Sequence, residues 1–230
     1  MSNEKELSDL YPFLHGKAQD PAKVDFALLR AVADKAHESR ETNGAFFGAN
    51  APMLVAAARA LAGVYRNGGR LFSMGNGGSS CDASHVAVEF VHPITAGRPA
   101  LAATNLVADL AMISAVGNDI GFDHVFVRQI IAHGRSGDGL IGISTSGNST
   151  NLISAFAKAK EMGIVTIGLA GGDGGRMKTA GVVDYLLVVP SQSIHRTQEC
   201  HVTAYHILWD LVHTLLADER GSAASKGAAA

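Results

Sequence analysis

Five short apolar runs punctuate the chain, at 70–74, 100–104, 140–144, 164–169 and 185–189. Segments of about 12–20 residues with helical patterning lie between them. Most runs are rich in Val, Ile and Leu, are bounded by Gly, Asp or Pro, and lack strict polar/apolar alternation. A strand that is apolar on both sides must be covered on both, and strands joined by crossover helices run parallel. The pattern predicts an α/β fold: a three-layer αβα sandwich around a five-stranded parallel sheet. Helical stretches at 26–47 and, after Pro52, at 53–65 precede the first strand as extra N-terminal helices. A last helix, at about 197–217, closes the domain.

Residues 1–24 are polar, carry Pro12 and Pro21, and read as an N-terminal extension; 25–220 read as one domain. The tail at 221–230, GSAASKGAAA, is of low complexity and reads as disordered. Hydrophobic residues at 47% and charged residues at 17% of 230 suit a globular chain. The net charge of −2 and the lack of a basic run exclude an extended nucleic-acid-binding face. The apolar stretches fall short of the roughly 18 residues of a membrane span. The first ten residues, MSNEKELSDL, lack a secretory h-region. Cys81 and Cys200 cannot make a disulfide framework. The expectation is a cytoplasmic protein with no membrane or nucleic-acid partner, its two thiols being small buried hydrophobes.

In open parallel sheets, ligands bind at the carboxyl ends of the strands. The first strand is followed by Gly75-Asn76-Gly77-Gly78-Ser79-Ser80 and the third by Ser144-Thr145-Ser146-Gly147-Asn148-Ser149, each leading into a helix. Glycines let the backbone approach a ligand, hydroxyls add donors, and a helix N-terminus adds free N–H groups and partial positive charge. Together these form a phosphate cradle without a lysine; ordinary serine-capped turns are the alternative. Neither loop is a Walker A motif, and Ser80 breaks the dinucleotide pattern.

His85 and Glu89 are i, i+4 neighbours on the helix after the first loop. Gln198 and His206 on the last helix are eight residues apart, about 80° around the axis, and reach one pocket from adjacent turns. Such a set binds a divalent metal or supplies a general acid and base; a solvated surface pair is the competing reading. His201 reads as a neutral packing histidine, Gly171–Gly175 as a turn, and Trp209 as core or interface packing.

The ordered segments GNGGSSCDASHVAVEF, AVGNDIGFDHVFVRQI, GDGLIGISTSGNSTNLISAFAKAKEMGIVTIGLAGGDGG and RTQECHVTAYHIL resemble the phosphoheptose isomerases of the sugar-isomerase (SIS) fold, over about 26–216. The resemblance implies that Ser79, Ser144, Thr145, Ser146 and Ser149 hold the substrate phosphate, that Asp119 contacts a substrate hydroxyl, and that Asn76, Gly77, Gly78 and Gln198 also bind substrate. It implies one Zn(2+) per subunit on His85, Glu89, Gln198 and His206, with Glu89 and His206 as the acid/base pair. It further implies a homotetramer with shared active sites and conversion of sedoheptulose 7-phosphate to D-glycero-D-manno-heptose 7-phosphate, in the supply of heptose for lipopolysaccharide. Moving a proton between neighbouring carbons through an enediol needs a base, a proton-transfer partner for the oxygens and a stabiliser of negative charge. A Glu, a His and a cation meet that need.

Two positions depart from the family pattern. Val91-His92-Pro93 replaces its Thr-Gly-Arg, and His195 replaces an aspartate three residues before the glutamine. Both lie on the sugar-recognition side. Another sugar-phosphate substrate therefore stays open, as does a non-catalytic module binding a sugar phosphate or a protein, like the family's replication-initiator-associating relatives.

Overall fold

In a computed structural model, which describes residues 21–227, the elements run in this order: α1 (Pro21–Arg66), β1 (Leu71–Gly75), α2 (Gly78–Val91), β2 (Ala103–Asn105), α3 (Leu110–Asp119), α4 (Val125–His133), β3 (Gly139–Ser144), α5 (Thr150–Glu161), β4 (Val165–Gly171), α6 (Gly175–Thr179), β5 (Tyr185–Val189) and α7 (Ile194–Gly227). A 3-10 turn at Phe122–His124 leads into α4. The strands form one parallel sheet in the order β2-β1-β3-β4-β5. The expected five-stranded sheet is present. The short edge strand β2 starts three residues later than its apolar run.

Alternation within the buried strands feeds two separate cores. Leu71, Ile141, Ile143, Ile167 and Leu187 pack with the second half of α1, with α2 and with α7. Phe72, Met74, Leu140 and Ala170 pack on the other face with residues of α3, α4, α5 and α6. Each strand is apolar on both sides because each side has a helical layer to meet.

The chain divides after Arg40 into two compact units. Within the first, every α1 side chain from 25 to 38 is exposed, Leu29 at 71% and Val32 at 68% among them. The sequence reading placed this segment inside one domain at 25–220; it lacks the buried side chains that would make it part of a core. The second unit holds the sheet and both cores.

Three further expectations need correction. Pro52 does not end a helix, for α1 is continuous through it. A helix-interior proline removes one hydrogen bond and costs about 3 kcal/mol. Here Phe46 and Leu54 are buried on either side of it. Asn50 also takes the free edge of β5, accepting from Val188 N and donating to Val188 O, both at 3.2 Å. Second, the expectation that no segment is long and apolar enough for a span does not hold of Val24–Arg66, which by length and composition could cross a membrane. Ala57, Ala58, Leu61 and Ala62 of this helix are wholly buried in the core, and a core helix meets the same test. Third, α7 continues to Gly227, across most of the segment assigned to a disordered tail. Alanine has the highest helix propensity, so an Ala-rich tail can extend a helix already nucleated. Residues 1–20 and 228–230 lie outside the described residues.

Candidate active site

β1 and β3 are neighbours in the sheet, while the chain leaves β1 toward β2 and returns to β3. The loops after these two strands therefore flank the point where strand order reverses, the ligand crevice of such sheets. The helices they enter start without side-chain caps: Gly77 caps α2, and Ser149 caps α5 without using its hydroxyl on an amide. α3, which follows β2, is capped conventionally, with Asp109 accepting from Met112 N at 2.9 Å. At the N-termini of α2 and α5 the cap position spends no side chain on the amides, which leaves room there for an anion.

The loops are tied to one another. Asn76 and Asn151 exchange two amide hydrogen bonds at 2.9 Å, joining the first loop to α5. The hydroxyls of Ser144 and Ser149 lie 3.1 Å apart. Gly147 has φ 64° and approaches the next loop so closely that a Cβ would lie 2.2 Å from Gly174 O. Thr145 and Ser146 line a cleft of about 360 Å3 with Gly172, Asp173, Ser191 and Gln192 from the loops after β4 and β5. Ser79 and Ser144 are instead buried, at 4% and 5% exposure. Gly77, Gly78 and Ser146 are exposed. Asp119 is exposed at the end of α3, where it accepts from Asn118.

The titratable cluster forms between α2 and α7. His85 Nε2 donates to Glu89 Oε1 at 3.0 Å. The rings of His85 and His206 are 4.9 Å apart at 81°. Ligating atoms of His85, Glu89 and His206 all lie within 4.8 Å of one another. Gln198 is placed lower on α7: its amide rests over Gly78, seven residues before His85, where a Cβ would lie 2.3 Å from Nε2. The two helices run side by side in the same direction, Gln198 at the loop end and His206 beside His85.

Neighbours shape the cluster. Burial, together with the charge of His85, lowers the pKa of His206 against a smaller upward pull from Glu89, so its neutral form is favoured. Burial, with Asp82 and Glu89, raises that of Tyr205, which keeps its proton. Burial also raises that of Asp82. Trp209 Nε1 donates to the Glu89 carbonyl at 2.8 Å, and the guanidinium of Arg98 lies over the indole at 4.3 Å.

His201 is fully buried and donates from Nε2 to Ala170 O at 3.2 Å. Cys200 is buried, but Cys81 is exposed, a correction to its expected burial: α2 turns Ser79, Asp82, Ala83 and Val86 inward and Cys81 outward. Pro93 is half-buried beyond α2, and His195 is exposed at the start of α7. The sequence reading missed Asn151, Tyr205, Ser191 and Gln192. Tyr205 is 120 residues from His85, and nothing local in the sequence signals such a pairing.

A family profile described as SIS domain matches residues 36–171, and the chain belongs to the SIS domain family. Among its relatives, a phosphoheptose isomerase of Pelodictyon phaeoclathratiforme is 46% identical over 170 residues, 73% of this chain and 80% of that one. Another, of Aneurinibacillus thermoaerophilus, is 47% identical over 65% of this chain and 74% of its own length. The solved structure of phosphoheptose isomerase GmhA from Neisseria gonorrhoeae, 38% identical, superposes with a TM-score of 0.76, covering 81% of this chain and 99% of that one. Within the family the chain thus falls with the phosphoheptose isomerases and is an isomerase.

Proposed function

We propose that the protein interconverts sedoheptulose 7-phosphate and D-glycero-D-manno-heptose 7-phosphate through an enediol, as a cytoplasmic homotetramer supplying heptose. One observation carries the reading: a carboxylate, Glu89, and an imidazole biased to neutrality, His206, gather beside His85 in a chain whose relatives are phosphoheptose isomerases. A module that only binds needs the serine loops but not this pair.

In this reading Thr145, Ser146 and the uncapped amides of α2 and α5 hold the phosphate, which leaves the sugar to extend toward α7. Glu89 takes the proton from the substrate carbon, and His206 carries the proton between the two oxygens. Two imidazoles and a carboxylate are a donor set that suits zinc, so His85, Glu89 and His206 would hold the ion, with Gln198 as the fourth ligand reaching up from Gly78. Bound zinc supplies Lewis-acid polarisation of the carbonyl.

The test is turnover of a panel of five-, six- and seven-carbon ketose phosphates, with and without a chelator. The panel is needed because Pro93 and His195 depart from the family's sugar-recognition residues. Turnover of sedoheptulose 7-phosphate that chelation abolishes and zinc restores is the expected result. Tight binding of one compound with no turnover of any, zinc supplied, would replace this reading with the non-catalytic one.

A further inference from the structure

His85 is 42% exposed at its side chain and sits on a helix surface, a setting in which an imidazole ordinarily samples several ring orientations. Here it has an anchor. The hydroxyl of Tyr205 lies 2.8 Å from His85 Nδ1, and the two rings meet edge-on, 5.3 Å apart at 73°. Tyr205 itself cannot move easily: it is 2% exposed, packed in the core between the sheet and α7. It also precedes His206 directly and contacts that ring at 4.8 Å. One buried side chain thus touches both histidines of the cluster.

We propose that Tyr205 is the positioning residue for His85, fixing its ring through Nδ1 so that Nε2 is presented to Glu89 and His206. A phenol suits the task because its oxygen both donates and accepts. In the arrangement described, Nε2 donates to the Glu89 carboxylate, so a neutral ring leaves Nδ1 unprotonated and Tyr205 donates to it. When Nε2 must instead be a bare lone pair, to ligate a metal, the ring proton moves to Nδ1 and the same phenol oxygen accepts it. The hydroxyl proton then needs another acceptor. Asp82, one turn before His85, has a buried Oδ2 with no hydrogen-bond partner among the described residues, and its charge acts on Tyr205. A hydrogen-bonded partner on the far nitrogen is how metal-binding histidines are generally held in tautomer and orientation.

The metal arm of the test rests on the reading of His85, Glu89 and His206 as ligands; the tautomer arm does not. Tyr205→Phe keeps the ring and its packing and removes only the hydroxyl. On the full chain, three quantities are compared with wild type: the ring 15N shifts of His85 without metal, the zinc affinity by chelator competition, and kcat and KM for the ketose phosphate. In wild type His85 is expected as a single Nε2–H tautomer; in the variant the Nε2–H form that Glu89 still favours is joined by a share of the Nδ1–H form. Zinc affinity should fall about 10–100-fold, with kcat reduced and KM little changed. Retention of the wild-type His85 shifts in Tyr205→Phe overturns the proposal, whatever the zinc result. If wild type takes up no zinc while the tautomers still mix in the variant, the positioning role stands and only the metal reading fails.

Discussion

Glu89 is held from two sides, by His85 at its carboxylate and by Trp209 at its carbonyl. Its function can therefore be removed without moving the backbone. Glu89→Gln keeps the size and an oxygen but loses the basic carboxylate. Turnover is expected to fall at least about a hundredfold while sugar-phosphate affinity, read by calorimetry, is retained. An unchanged rate would show that another group takes the carbon proton. His201 makes a separate prediction. Burial lowers its pKa to about 4 from 6.5, only partly opposed by its bond to Ala170. The unfolded chain thus binds a proton that the folded one resists. Stability is fully present above pH 6.5 and is lost as the pH falls toward 4, by on the order of 2–3 kcal/mol. His201→Gln retains a donor for Ala170 and has no proton to gain. Its denaturant midpoint should vary less across that window than the wild-type midpoint does.

Among the elements, the two uncapped helices matter most for binding. α5 starts at a serine whose hydroxyl faces Ser144 rather than an amide, and the loop before it exposes Ser146 to the cleft. A neutral hydroxyl donating to a phosphate is worth about 1.5–3 kcal/mol. Ser146→Ala should therefore raise KM for the sugar phosphate about tenfold or more and leave kcat nearly unchanged. The two constants measured over a substrate series would show it, and an unchanged KM would move the phosphate elsewhere. Strand–helix alternation and both glycine–serine loops were legible in the chain because each is a local pattern. The continuity of α1 through Pro52 was not, because a local rule against proline was overruled by Asn50 gripping β5, 138 residues away.

For the whole molecule, the exposed apolar side chains call for partners. Phe26, Leu28, Leu29 and Val32 on α1 are each more than half exposed, as is Val88 on α2. Such surfaces on a helix that repeats in every copy are buried most economically in a symmetric assembly. Light scattering at micromolar concentration should report a tetramer of the 23.9 kDa chain. Charge substitutions at Leu29 and Val32 should shift it toward smaller species, and a wild-type monomer would refute the assembly.

Sequence by itself determined the layers, the parallel sheet, the position of both loops at strand ends and the pairing of His85 with Glu89. Each follows from apolar periodicity, turn residues or a four-residue helical spacing, all of which act over a few neighbours. Tertiary structure alone decided which residues from distant segments meet. It set His206 beside His85, left Gln198 at Gly78, buried Ser79 while opening Ser146 to the cleft, and put Tyr205 behind His85. Those outcomes depend on how α2 and α7 lie against the same sheet face, and packing between elements carries no signature in the residues nearby.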